Sequence, residues 1–173
     1  MAHPKVLWQF FPKSRPCPAA VQEVISIFQA RLKVIDSFTH VGLHSNGVLE
    51  ILRPSLQKIG FTVETGRSKA KKIQIPVLFG ENGKIIKYFE ADAYNAEIQT
   101  VLEVEAGRAV SNYQFLKDLF QACVMQNVEY AIIAVRQEYR GAKDYEKVIA
   151  FMDTIYSSDR LNLPLKGLMI IGY

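Results

Sequence analysis

Cysteine is scarce in this chain. Cys17 and Cys123 are the two present among 173 residues, and neither stands in a C-x-x-C pair. That removes a zinc ribbon or a dithiol redox motif and leaves two buried thiols in a reducing compartment. No apolar run reaches the ~18 residues of a membrane-spanning helix. The opening MAHPKVLWQFFPKSRPCP has no long apolar core after a basic start, unlike a secretory signal. Neither G-x-x-x-x-G-K-[ST] nor G-x-S-x-G occurs, which excludes a P-loop and a nucleophile elbow. Internal repeats and low-complexity tracts are also missing. Charge of one sign is in only slight excess: Lys and Arg number 21 against 17 Asp and Glu, a net +4 with a pI of about 9.0. Such a balance permits a polyanionic partner without requiring one. The expectation is a soluble, cytoplasmic protein with no membrane contact.

What is present describes an ordinary globular domain. Apolar residues make up 49% of the chain and charged residues 22%, too apolar for disorder as the main state. The length suits a single domain over 1–173. The three prolines of FFPKSRPCP mark an irregular N-terminal arm at 1–18. After it, Val21, Val24, Ile25, Phe28, Leu32 and Ile35 recur at helical spacing. HSNGVLEILRPSLQKIG is a second helix, capped by Ser45 or Asn46 and ended by Gly60, with Pro54 expected to kink it or restart it. FTVET, from Phe61, alternates as a strand. Two β-rich runs then flank Glu81-Asn82-Gly83, where Asn-Gly signals a hairpin. AEIQTVLEVEA is a third β-run, giving an antiparallel meander. SNYQFLKDLFQACVMQN is a helix with Phe115, Leu119, Ala122 and Val124 or Met125 inward. EYAIIAV is a strand buried on both faces, KDYEKVIAFMDTIYSS a helix and LKGLMIIGY a final strand. This order predicts an α/β fold whose mixed central sheet, antiparallel first and parallel later, is flanked by helices.

The acids of the third β-run are out of place. Carboxylates are poor strand formers, yet Asp92 ends one strand, and Glu103 and Glu105 stand near the end of the next. A solvated strand face would account for the last two by their period of two. Antiparallel neighbours, however, bring Asp92 toward Glu103 and Glu105. Three convergent carboxylates repel, and a divalent cation is the simplest compensation. Oxygen ligands in small number are what Mg²⁺ takes.

This layout resembles the PD-(D/E)XK nuclease superfamily, the restriction-endonuclease-like fold, over roughly residues 45–135. In that family an Asp ends one strand and an acid-x-Lys follows on the next. Asp92 matches the Asp, Glu103 matches the second acid, and Glu105 stands where Lys is usual. The exchange is similar to the BamHI and BglII type of restriction endonuclease, in which Glu or Gln replaces the Lys. The resemblance implies Mg²⁺- or Mn²⁺-dependent hydrolysis of DNA phosphodiesters by an endonuclease, such as one of restriction type, acting as a homodimer. It implies catalytic roles for Asp92, Glu103 and Glu105. It also implies a metal held by Asp92, Glu103 and the Val104 carbonyl. A further acid often comes from the helix before the meander. Glu50 matches it, with Glu64 as a rival. An alternative on the same fold is an inactive module binding nucleic acid or protein, which metal binding would distinguish.

Because Glu105 offers no positive charge, Lys117, Arg108 or a second metal would have to supply it. Arg67, Lys69, Lys71 and Lys72 lie in one stretch, and with Arg108 they are candidate DNA contacts. A solubilising loop explains the same lysines equally well. Asn112 reads as a helix cap. His40 and His44, at i, i+4, lack an acidic partner that would complete a metal site.

Overall fold

The computed structural model describes residues 5–66 and 68–173, without the Lys69 side chain. Eight strands and four α-helices are formed within these residues. The helices follow the apolar spacing. α1 (Ala19–Ile35) buries Val21, Val24, Ile27, Phe28, Leu32 and Ile35. α2 (Ser45–Lys58) buries Val48, Leu49, Leu52 and Leu56 and runs through Pro54 as one helix rather than restarting there. α3 (Gln114–Val124) turns Phe115, Leu119 and Ala122 inward, with Met125 just beyond it, while Val124 faces solvent. α4 (Asp144–Ser158) buries Val148 and Met152.

One mixed sheet holds β1 (Leu7–Phe11), β8 (Gly167–Gly172), β7 (Tyr130–Val135), β6 (Thr100–Glu105), β5 (Ala93–Asn95) and β2 (Thr62–Val63), in that spatial order. The pairs β6–β7 and β7–β8 are parallel, as the continuous apolar runs of β7 and β8 require. The pairs β2–β5, β5–β6 and β1–β8 are antiparallel. Helices cover both faces. α1 and α2 pack on Leu102, Val104, Ile132, Ala134, Met169 and Ile171. α3 and α4 pack on Val101, Ala131, Ile133, Val135, Leu168 and Ile170. The sheet is therefore the middle of three layers.

Two features differ from expectation. The first strand lies within the segment read as an irregular arm. Leu7–Phe11 pairs antiparallel along the edge of β8, and Phe10 and Phe11 are buried. The proline-rich residues 12–18 after it lack regular structure, consistent with missing amide donors at the three prolines. The second concerns the hairpin of β3 (Ile73–Phe79) and β4 (Ile85–Ala91). It turns on Asn82 and Gly83, both at positive φ, as Asn-Gly predicts. It stands apart as a two-stranded ribbon, and β5, beyond Asp92, carries the antiparallel pairing to β6. Ile75 and Ala91 root the ribbon on the α3 side, and Pro76 accepts a hydrogen bond from the Gln126 amide. No helix among the described residues is long and apolar enough to cross a membrane.

Candidate active site

The alternation of β6 places its acids. Leu102 and Val104 point to α1 and α2, and Val101 points to α3. Side chains alternate along a strand, so Glu103 and Glu105 share the face of Val101 and look toward α3. The same rule works at β2. Val63 joins the α1–α2 core, so Glu64, next along, faces the other way. It is buried to 3% exposure, and its amide donates to the Asp92 carbonyl at 2.9 Å. Asp92 itself is the bend between the ribbon and the main sheet.

These residues border one hollow of about 440 Å³, with Glu64, Glu90, Asp92, Glu103, Glu105 and Asp118 on its walls. Asp92 and β6 are stitched together. The Val104 amide donates to Asp92 Oδ2 at 2.8 Å, and the Glu103 carboxyl lies close to the Asp92 main chain. The N–H and C=O of a strand residue point to the same side, so the Val104 carbonyl also faces Asp92. Beyond Glu105, the Ala106 amide donates to Ser45 Oγ at 3.0 Å. Ser45 thus ties α2 to the end of β6 instead of capping its own helix. The Tyr173 hydroxyl donates to the Glu105 carbonyl at 3.1 Å.

Burial, with crowding by neighbouring acids, raises the pKa of Asp92, Glu103 and Glu105, and burial raises that of Asp118. Burial first, then the charges of Glu64 and Asp118, push Asp92 up to about 7 against the pull of the Val104 amide. Burial, then Asp118, takes Glu105 up to about 8. Glu103 lies well above the usual carboxylate range for the same reason, with Asp92 and Asp118 as neighbours. Asp118 is raised by burial, against the neighbouring Glu105 carboxyl, the Gln114 hydrogen bond and the charge of Lys117.

Asp118 was not among the residues singled out from the sequence. It is 4% exposed on α3. Gln114 Nε2 donates to its Oδ1 at 3.1 Å, its carboxyl meets that of Glu105, and Oδ2 has no hydrogen-bond donor. The readable signal was its spacing: Phe115, Asp118, Leu119 and Ala122 form a single helical stripe, so a charge sits in the apolar face. Glu50 does not join the group. It is exposed on α2 and borders a separate small hollow with Arg53 and Glu64.

The basic residues divide. Lys71 is exposed. Lys72 turns into the acid hollow, where its ammonium donates to Glu64 Oε2 at 2.7 Å and lies 3.9 Å from Glu90. Arg67 and the Lys69 side chain lie outside the described residues. Arg108 is exposed and borders an adjoining hollow shared by the start of α2, Lys72 and Glu105. Lys117 is exposed at the rim of the acid hollow. Asn112 is exposed and makes no cap: Tyr113 takes that position in a left-handed conformation. His40 Nε2 meets the Lys33 carbonyl at 3.0 Å, and His44 borders other hollows.

The arrangement has a counterpart of known fold. The structure aligns with the crystal structure of restriction endonuclease BglII complexed with a DNA 16-mer, over 97% of this chain and 77% of that one, at a TM-score of 0.51 and 14% sequence identity. The fold is restriction-endonuclease-like. At that identity the likeness speaks to architecture alone. No protein-family model matches the chain, and no curated protein matches it in sequence.

Proposed function

We propose that this chain is an endodeoxyribonuclease that hydrolyses DNA phosphodiesters with Mg²⁺ or Mn²⁺. The observation that carries the reading is the stitching of Asp92 to β6, which gathers the Asp92 and Glu103 carboxylates and the Val104 carbonyl at one hollow. Among the described residues no three acid, His or Cys side chains form a preset metal cage. Mg²⁺ does not need one, since one or two carboxylates with water suffice in sites that handle phosphates. The donors are all oxygen, the type that Mg²⁺ takes. Residues and ion are thus compatible.

Bound there, the ion would lower the pKa of a coordinated water and offset charge on the phosphate. The protein's own part is positional. The Val104 amide fixes Asp92, and β6 fixes Glu103 beside it. Glu105, against Asp118 and in its ionised form after giving its own proton to solvent, accepts a proton from the attacking water. The water oxygen bonds to phosphorus, one P–O ester bond breaks, and the departing oxygen is protonated from solvent. Glu105 at the position where Lys is usual supports the BamHI and BglII type of site. Glu64, rather than Glu50, is the additional acid that borders the hollow, paired there with Lys72. Lys71 and Arg108, with Arg67 and Lys69, contact phosphates along the duplex. A homodimer would bring the second site that cutting both strands needs.

The test is cleavage of long genomic DNA by the wild-type chain and by Asp92→Asn and Glu103→Gln, with calorimetric Mn²⁺ titration of each. Mn²⁺-dependent cleavage and Mn²⁺ heat, both lost in the variants, are expected. Duplex binding without cleavage or metal heat would instead identify an inactive DNA-binding module on this fold.

A further inference from the structure

We propose that Lys72 is a catalytic residue, its ammonium placed to contact the non-bridging oxygens of the scissile phosphate and stabilise the charge that grows on them. The inference rests on the nuclease reading above. The hollow presents six carboxylates to an anionic substrate. A metal held by two of them offsets only part of that charge, and Glu105 adds none. Fixed positive charge aimed at the transition state is the largest single contribution that such a site can make.

Three lysines border the hollow, and they differ in how they are held. Lys117 is exposed on α3. Lys87 is exposed on the ribbon, its ammonium lying 5.8 Å from the centre of the Phe89 ring. Lys72 is half-buried and anchored, 2.7 Å from a carboxylate that is itself buried. That carboxylate belongs to Glu64, whose amide is bonded to the Asp92 carbonyl. The chain of contacts Lys72–Glu64–Asp92 therefore sets the ammonium relative to the proposed metal ligands. One of its three N–H donors is used by Glu64, which leaves two for phosphate oxygens. Lys72 also borders the adjoining hollow that contains Arg108. A phosphodiester backbone lying against Arg108 would meet Lys72 and Glu105 at the same edge of the acid hollow. Glu64 is then a positioning residue that acts through Lys72.

A structural ion pair is the competing account, and kinetics separate the two. Lys72→Met, Lys72→Arg, Glu64→Gln and the double variant Lys72→Met/Glu64→Gln are made in the full chain. Single-turnover cleavage of genomic DNA is measured with Mg²⁺ and Mn²⁺, and Kd for a 30-base-pair duplex is measured in Ca²⁺ over a salt series. Loss of a transition-state donor predicts a ~10²–10³-fold fall in rate for Lys72→Met, with Kd and its salt slope nearly unchanged. Lys72→Arg recovers most of the rate, and Glu64→Gln falls between. The double variant leaves no unpaired buried carboxylate, so it keeps the fold if Lys72→Met does not. Wild-type cleavage beside equal cleavage by either folded Lys72→Met form overturns the role of Lys72 alone. So does a rate loss matched by weaker duplex binding and a salt slope smaller by ~1, the mark of an ordinary phosphate contact. A wild-type chain that cuts no DNA with either metal overturns the nuclease reading and this role together.

Discussion

Asp118 is the residue whose chemistry runs most against its surroundings. It occupies the apolar stripe of α3, is nearly sealed from water, and faces Glu105. A buried carboxylate whose nearest counter-charge is the exposed Lys117 costs stability unless it stays protonated. Asp118→Asn keeps the Oδ1 acceptor for Gln114 while removing the charge. In the metal-free protein at pH 8 this variant is expected to melt higher, by ~2–4 °C for each kcal/mol relieved. Differential scanning calorimetry reads it directly, and a lower midpoint would mean that the carboxylate has a favourable partner. Removing Asp118 also lowers the pKa of Glu105, since Asp118 stands second only to burial among the causes raising it. The sequence announced Asp92, Glu103 and Glu105 because acids interrupt a β-run. It hid Asp118 because a helix tolerates acids well, and only the stripe it shares with Phe115 and Leu119 betrays it. Lys72 was obscured differently. Within GRSKAKK it reads as one of several solvated charges, and the turn that sends it inward depends on β3 leaving the main sheet.

Among the elements, the α-helices and the central parallel strands were the most legible, because each carries its own periodicity. The edge strand β1 was not. Its partner β8 lies at the opposite end of the chain, and LWQFF followed by three prolines gives no local sign of that pairing. The close fit is instead recorded at Gly167 in β8, where a Cβ would overlap the Phe10 ring. Gly167→Ala is therefore expected to prise Phe10 from the sheet edge and cost about 1–3 kcal/mol, the range for overpacked sites. Urea unfolding followed by circular dichroism measures it. Gly83→Ala in the ribbon turn meets no neighbour and suffers only from its φ of 74°. A larger loss at Gly83 than at Gly167 would show that the ribbon, not the β1 edge, limits stability. The ribbon's detachment from the sheet was equally hidden. Its alternating pattern predicts pairing, but not with which neighbour, and the bend at Asp92 decides that.

At the scale of the whole molecule, the acid hollow links folding to pH and, on the proposed function, to metal. Asp92 at about 7 and Glu105 at about 8 stand above their unfolded values, which are ~3.9 and ~4.3. The folded protein therefore binds more protons than the unfolded chain between those limits, and stability falls as pH rises. The contribution of these groups is fully present below about pH 4 and is lost as pH passes through 7 and 8. Glu103 and Asp118 shift in the same direction. The metal-free thermal midpoint should accordingly fall from pH 6 to pH 9, opposite to the behaviour of a protein held by ordinary salt-bridged carboxylates. Bound as proposed, Mg²⁺ or Mn²⁺ would compete with the protons, bind more tightly at the higher pH and stabilise most where the metal-free protein is weakest. Melting curves at pH 6, 7.5 and 9, with and without 5–10 mM Mn²⁺ (a range of ~10² above a typical weak site), test both halves. Glu103→Gln should flatten the pH dependence and remove the metal effect together. A wild-type midpoint that rises toward pH 9 without metal would mean that the carboxylates are ionised and paired in the fold. Those charges would then require neutralising partners among the surrounding lysines, Lys72 first, rather than a divalent ion.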